Sequence, residues 1–582
     1  MFSKFSLRSK GIRSQKEKNS RYGQINSTLP TDKDDYNRKE NQSYSASTSV
    51  SQSEQKISLN SEVSTPLAHV ADRNLTSLSS FGWFSTHDSK QSQRASSATS
   101  DDIGIETYVL VPYEDAEEQF LQENEGYFMH LSVDNVRKDQ YPKLELERLV
   151  YLDHATCPLY SHFQVEQHMQ IILEQDGPYL GTISAVNNPS TDCNTYIDET
   201  SKRLLDLFNA TQDDYTVIFT PGLASCYRLF GDMHPFQKGS LLLISPDAHE
   251  FVRYVANASV QRGAKTEPMP LRKTDLCVNT NAMHQLLTTR GWTGFGNGLL
   301  IYPVQSCSSG MRHSLNWIVE AHQNGWKVLL DVASCLPTVN ADLSLYQPEF
   351  VVGSLHHILG YPSDVGFLLV RRSSHSICSQ RGTARLKIAE APEHGKCVHV
   401  VTEGESLSIH TFAALKFGLE HLETVGFSAM QDRVQSLFAW LVKTLKSLKH
   451  QADEKPLVQM YGSLDLKYRG SILVFNILDS TGNAFPAGLV QRLAERNNIF
   501  LGICCFSNPE LSLLLHPKSG RRTGRAGKDA STFQLSAVRL SLGPVSTFED
   551  VYRLAEFLTH FGDEDYTSSE AVGYVEEHIQ YC

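Results

Sequence analysis

The residues able to do chemistry in this chain sit where its apolar runs stop. Asp331 closes the run KVLLD (327–331), where a carboxylate either caps the following turn or holds a protonated ring nitrogen. VIFTPGLASCYRLF (217–230) reads as strand, glycine turn and helix, with Gly222 and Ser225 at the turn. Backbone N–H groups and a helix dipole in such a turn suit an anion, often a phosphate. His249 follows a further strand end; it can stack on a planar ring or serve as ordinary polar structure. His356 and His357 follow FVVGSL (350–355) and suit metal binding or proton shuttling, but no third ligand is evident and no metal is assigned. KSGRRTGRAGK (518–528) offers five cations to an anion or nucleic acid, or is simply a solvated loop.

The elements that must position these residues follow from hydropathy. TVIFT (216–220), SLLLISP (240–246), LLIYPVQ (299–305), KVLLDVA (327–333), FVVGSLH (350–356) and VGFLLVRR (365–372) are short, nearly continuous apolar runs. Such runs predict strands covered on both faces, as in a parallel sheet. Residues 197–208 and 434–445 carry apolar side chains at helical spacing, and Thr547-x-x-Asp550 is a capping pattern ahead of a last helix. The fold class is therefore α/β, with an open, mostly parallel sheet and a smaller C-terminal α+β lobe. In such sheets ligands bind beyond the carboxyl ends of the strands.

Composition bounds the rest. Residues 1–105 are polar and Ser-rich and are expected to be disordered, with Trp83 and Phe84 as their one apolar spot. The expected division is 106–424 for the large domain with a helical entry segment, 425–562 for the small domain, and 563–582 for an acidic tail. A net charge of −12 argues against a dedicated nucleic-acid binder. The 11 cysteines show no CxxC pair and read as reduced intracellular thiols. No apolar run has the roughly 20 residues of a membrane span. A cytoplasmic location is expected; the basic start, with Lys4, Arg8, Lys10, Arg13 and Lys16, leaves an organelle transit segment as the alternative.

The order of these signals resembles the class V aminotransferase and cysteine desulfurase superfamily. It is most similar to the N-terminal, desulfurase-like domain of molybdenum cofactor sulfurases. The carriers are YLDHA (151–155), NNPS (187–190), DDYTVIFTPG (213–222), GWKVLLDVAS (325–334), QPEFVVGSLHHILGYP (347–362), LGICCFSNP (501–509) and SAVRLSLGPVSTFED (536–550). The resemblance implies a fold-type I homodimer whose cofactor is pyridoxal phosphate (PLP), with a free cysteine as sulfur donor. It places Asp331 at the ring nitrogen, His249 on the ring face and Gln305 beside the phenolic oxygen. It places Gly222, Ser225, Ser354 and His356 near the phosphate and Arg539 at the substrate carboxylate.

The departures fall where the family does its chemistry. His357 stands at the Schiff-base lysine, and imidazole cannot form that imine; Lys387 is the next lysine downstream. Ser507 stands at the persulfide cysteine, and a hydroxyl cannot form a persulfide. Ala224 replaces a phosphate threonine and Cys307 an asparagine, while Gly404-Glu405 would set a carboxylate against a phosphate. PLP is thus expected to be non-covalent at most, or absent. Two readings follow. One is a catalytically degenerate binding or regulatory protein, whose Ser-rich tail recruits a protein partner on phosphorylation. The other is a sulfurtransferase or desulfurase-like enzyme with non-covalent PLP and Cys505 or Cys504 as acceptor.

Overall fold

The structure, a computed structural model, describes residues 110–174, 182–183, 191–291, 298–362, 365–378, 407–450, 454–506, 508–515, 536–563 and 565–570. The expected tail (1–105), NNPS (187–190), the loop 518–528, Lys387, Gly404-Glu405 and Ser507 lie outside these residues.

In chain order the strands are β1 (Val150–Leu152), β2 (Thr182–Ile183), β3 (Tyr215–Pro221), β4 (Leu241–Ile244), β5 (Lys265–Pro268), β6 (Gly298–Pro303) and β7 (Lys327–Asp331). They continue as β8 (Phe350–Ser354), β9 (Val365–Arg371), β10 (Leu407–Ser408), β11 (Val458–Met460), β12 (Ile472–Ile477), β13 (Ile499–Cys505) and β14 (Ser536–Ser541). A seven-stranded sheet runs β3-β9-β8-β7-β6-β4-β5. Its pairs are parallel from β8 to β5, and β9 is antiparallel to both neighbours. The six expected strands are all in it. β5 was not expected: its sequence, KTEP, is largely exposed and has no apolar run to reveal it.

Alternation explains why the runs look continuous. Val217, Phe219, Leu300, Val328, Leu330, Val351 and Leu369 enter one core. Their neighbours Ile218, Leu299, Ile301, Leu329, Val352 and Leu368 enter another on the opposite face. Burying such a side chain is worth about 1.5–3 kcal/mol, so both faces demand apolar residues. Gly353 in β8 is needed because a side chain there would strike the Phe367 ring across the sheet.

The second sheet runs β1-β13-β14-β12-β11, antiparallel except for β1 beside β13. Val150 pairs with Ile499, which moves β1 out of the expected 106–424 division. Ala116, Phe120 and Tyr127, from the helices Tyr113–Glu123 and Glu125–Phe128, join the same small-lobe core. The entry segment therefore completes the small lobe, because β13 needs an edge partner that sequence order does not reveal. The helix Phe548–Thr559 begins with the expected capping box; Thr547 N donates to Asp550 Oδ2 at 2.9 Å. That carboxylate is also gripped by Arg137, at 2.8 and 3.0 Å. Among the described residues no helix is long and apolar enough to cross a membrane.

Candidate functional site at the strand ends

Asp331, at the carboxyl end of β7, is buried and has both oxygens engaged. Oδ1 accepts from Ala333 N at 2.8 Å and Oδ2 from the Tyr227 hydroxyl at 2.6 Å. Burial pushes the Asp331 carboxyl up. Burial, followed by the Asp331 charge, raises the Tyr227 phenol well above its ordinary value, so it stays a donor. Tyr227 comes from the helix Gly222–Met233, which leaves β3 through Gly222 at φ +78°. A left-handed backbone there favours glycine. Ser225 is buried in the first turn of that helix.

His249 follows β4. Its ring lies 6.5 Å from Tyr227 at 22° and 6.4 Å from His357 at 32°. Its Nδ1 accepts from Phe251 N at 3.2 Å, which puts its proton on Nε2, and burial holds its pKa down. His356 and His357 open the short helix after β8, whose last residue, Ser354, is buried. Burial, then the charges of His249, His356 and Arg539, hold His357 down to about 3. Among the described residues Nδ1 of His356 and Nδ1 of His357 are buried without a partner.

Arg539 reaches this layer from the small lobe. It stands in β14 opposite Gly502 and Val474. Its Nη2 contacts Asp153 Oδ1 at 3.2 Å and Thr156 Oγ1, its Nη1 contacts Cys307 O at 3.4 Å, and its Nε is buried without a partner. Burial pushes the Cys307 thiol up, away from thiolate chemistry. Cys504 Sγ donates to Ser308 O at 3.3 Å, while the side chain of Cys505 lies outside the described residues.

Gln305 follows β6 and is buried. Its Nε2 donates to Ser334 O at 2.8 Å and reaches Ser471 Oγ at 3.4 Å, while its Oε1 is buried without a partner among the described residues. The structure thus gathers Asp331, His249, His357, His356 and Arg539, with Ser354 and the Gly222 turn at the same strand ends.

Sequence reading missed two features. One is Tyr227, an aromatic in a helix, which gives no sign of its carboxylate partner. The other is Asp247, fully buried, whose oxygens accept from Ser245 Oγ and Ser309 Oγ at 2.6 Å each, with His313 Nε2 at 3.1 Å from both. Burial alone would raise this carboxyl; His313 and the two hydroxyls outweigh that and hold it low. Its backbone carbonyl accepts from Ser306 Oγ at 2.7 Å, so Asp247 anchors the loop that carries Cys307. Only the serine-dense SCSSG (306–310) after a strand hinted at such a network.

These residues do not fit a PLP held as in a working transferase. The position that the resemblance gives to the Schiff-base lysine holds the His357 imidazole, and Asp331, which it gives to a ring nitrogen, already accepts from the Tyr227 hydroxyl. No chemical step is therefore derived through that group.

The neutral histidines make the fold acid-sensitive. His154, His234 and His357 are each held down to about 3, with burial the leading cause. An unfolded histidine titrates near 6.5. Between about pH 6.5 and 3 the unfolded chain binds protons that the fold refuses, so stability falls as the pH drops through that window. His357→Asn should flatten that slope by about 1.4 kcal/mol per pH unit in chemical unfolding. An unchanged slope would mean that His357 is not buried neutral.

Comparisons with known proteins agree with this geometry. The aminotransferase class-V family model matches residues 150–554. The chain is 26% identical over 495 residues to the molybdenum cofactor sulfurase of Arabidopsis thaliana, covering 76% of this chain and 60% of that protein. It is 29% identical over 447 residues to the human molybdenum cofactor sulfurase, covering 70% and 49%. It therefore spans only about half to three-fifths of the length of these relatives. Among solved structures it resembles the apo cysteine desulfurase of Thermococcus onnurineus, with a TM-score of 0.57 at 16% identity over 73% of this chain and 96% of that one. It also resembles the Escherichia coli cysteine desulfurase CsdA, with a TM-score of 0.56 at 17% identity over 74% and 98%. Those likenesses establish the PLP-transferase fold of type I. With the model match running from β1 into the helix Phe548–Thr559, the chain belongs to the aminotransferase class-V family.

Proposed function

We propose that this chain is a member of its family that has given up Schiff-base catalysis and acts as a cofactor-free binding or regulatory protein. The observation that carries this reading is the Tyr227 hydroxyl on Asp331 at 2.6 Å, in a site whose lysine position is His357. A working PLP site needs a carboxylate for the pyridinium and an amine for the imine; here the Tyr227 hydroxyl competes for the first and the second is missing. The cleft nevertheless keeps unspent polar nitrogens: among the described residues Arg539 Nε and Nδ1 of His356 and His357 are buried and unpartnered. Orphaned buried groups are costly, and a small molecule with a carboxylate would satisfy them.

Sulfide release from cysteine by the full chain, with PLP supplied, tests the reading. No turnover above a heat-denatured control is expected, and titration with PLP should give no saturable absorbance band. Clear turnover that disappears in Cys505→Ala would favour a sulfurtransferase with non-covalent PLP.

A further inference from the structure

A second polar site lies away from the cleft, where the two lobes are stitched together. Gln305 pairs with Arg312 and Met311 with Arg469 in isolated antiparallel bridges, and Arg312 N donates to Tyr468 O at 2.9 Å. Beside this seam is a cavity of about 150 Å³. That is roughly ten times the 10–15 Å³ or so that one water requires. Its walls are Arg312, the loop with Thr338 and Asn340 after β7, and Arg469. The helix Phe427–Ser447 closes it with Gln431 and Gln435, one turn apart.

Among the described residues the cavity carries two guanidinium groups and no carboxylate. Arg469 is buried, and its bonds run to main-chain oxygens: Ser463 O at 2.5 Å, Ser309 O at 2.7 Å, Ile472 O at 3.3 Å and Tyr461 O. Carbonyls satisfy its N–H groups but do not neutralise its charge, and burial pulls it down to about 10. A buried charge without a counter-charge is expensive. Arg312 differs: among the described residues its guanidinium has no hydrogen bond or ion pair, so its donors are free. The neighbouring acids are committed elsewhere. Asp432 meets His130 at 3.4 Å, Asp465 accepts from Lys467 N at 2.9 Å, and Asp342 accepts from Ser344 Oγ at 2.6 Å.

We propose that this seam binds a small tetrahedral oxyanion of the phosphate or sulfate class, held by Arg312 with the amides of Asn340, Gln431 and Gln435, beside the buried charge of Arg469. Arg312 supplies the forked donors suited to such an anion, and Arg469 supplies attraction without spending an N–H. The bound anion would brace both lobes, because Arg312 and Asn340 belong to one and Gln431 and Gln435 to the other. This inference stands independently of what occupies the Asp331 cleft.

The test is thermal unfolding and calorimetric titration of the full chain with inorganic phosphate, sulfate and phenyl phosphate. Ionic strength is held constant, because salt screens weak charge effects. A saturable rise in melting temperature is expected, since a ligand that binds only the folded state stabilises it. Arg312→Gln should weaken binding roughly tenfold or more, the loss of hydrogen bonds to a charged group. Asn340→Asp, at an exposed rim, should abolish binding by like-charge repulsion, and it carries the test if Arg312→Gln does not fold. Arg553→Gln, whose guanidinium reaches only the carbonyls of Arg148 and Asn497 among the described residues, should change nothing. Arg312-dependent binding of phosphate or sulfate alone supports a free anion as the ligand; equal binding of phenyl phosphate supports the phosphate group of a larger molecule. Absence of saturable binding by the unmodified chain, or binding unaffected by both Arg312→Gln and Asn340→Asp, overturns the proposal.

Discussion

Replacing His357 by lysine and Tyr227 by phenylalanine together should turn a chain without a covalent cofactor into one that fixes PLP on residue 357. The lysine supplies the amine that imidazole lacks. The phenylalanine removes the hydroxyl that donates to Asp331 Oδ2 at 2.6 Å and frees that oxygen for a pyridinium. A hydrogen bond to a charged group is worth about 1.5–3 kcal/mol, so the double variant should bind PLP roughly tenfold to a hundredfold more tightly than His357→Lys alone. Tyr227→Phe also strands a buried carboxylate oxygen, at a cost of about 1–3 kcal/mol. The cofactor-free double variant should therefore melt earlier, and PLP should restore it. Absorbance titration and borohydride trapping measure the binding; scanning calorimetry measures the rescue. Equal affinity in the single and double variants would show that Tyr227 does not compete for Asp331.

Asp247→Ala should be among the most damaging single changes in the chain. Its carboxylate is fully buried and accepts from Ser245, Ser309 and His313. Breaking such a network from one side costs about 3–5 kcal/mol, against a total stability of about 5–15 kcal/mol for a typical domain. The effect should spread to the cleft, because Ser306 and Ser309 fix the loop of Cys307, and His249 lies two residues from Asp247. The folded carboxyl is held below its usual range, so its contribution is present above the unfolded value of about 3.9 and is lost as the pH falls through the folded one. Urea unfolding of Asp247→Ala beside Asp247→Asn measures this; Asn keeps the shape and should cost less. A loss below about 1 kcal/mol in Asp247→Ala would mean that the network is not a keystone.

What was legible in the sequence follows from what burial demands. Strands β3, β4, β6, β7, β8 and β9 stood out because the large sheet is covered on both faces. β5 did not, because it is an exposed edge; β1 was met only through the resemblance of YLDHA (151–155) to an entry strand, and its partner, Ile499, is remote in sequence. Asp331, His249, His356, His357 and Arg539 were readable because strand ends put them in order along the chain. Their pairings were not readable. Nothing in SCYRLF says that Tyr227 turns onto Asp331, and nothing in YPVQS says that Gln305 Nε2 donates to Ser334 O. A hydrogen bond between side chains far apart in sequence leaves no local pattern.

The Schiff-base position is most directly tested by the intact mass of the full, unmodified chain after incubation with PLP and borohydride reduction, followed by peptide mapping. The unmodified mass is expected, with no pyridoxyl group on residues 347–362. A single stoichiometric pyridoxyl addition, on that loop or on one specific lysine elsewhere in the cleft, would contradict the loss of Schiff-base chemistry.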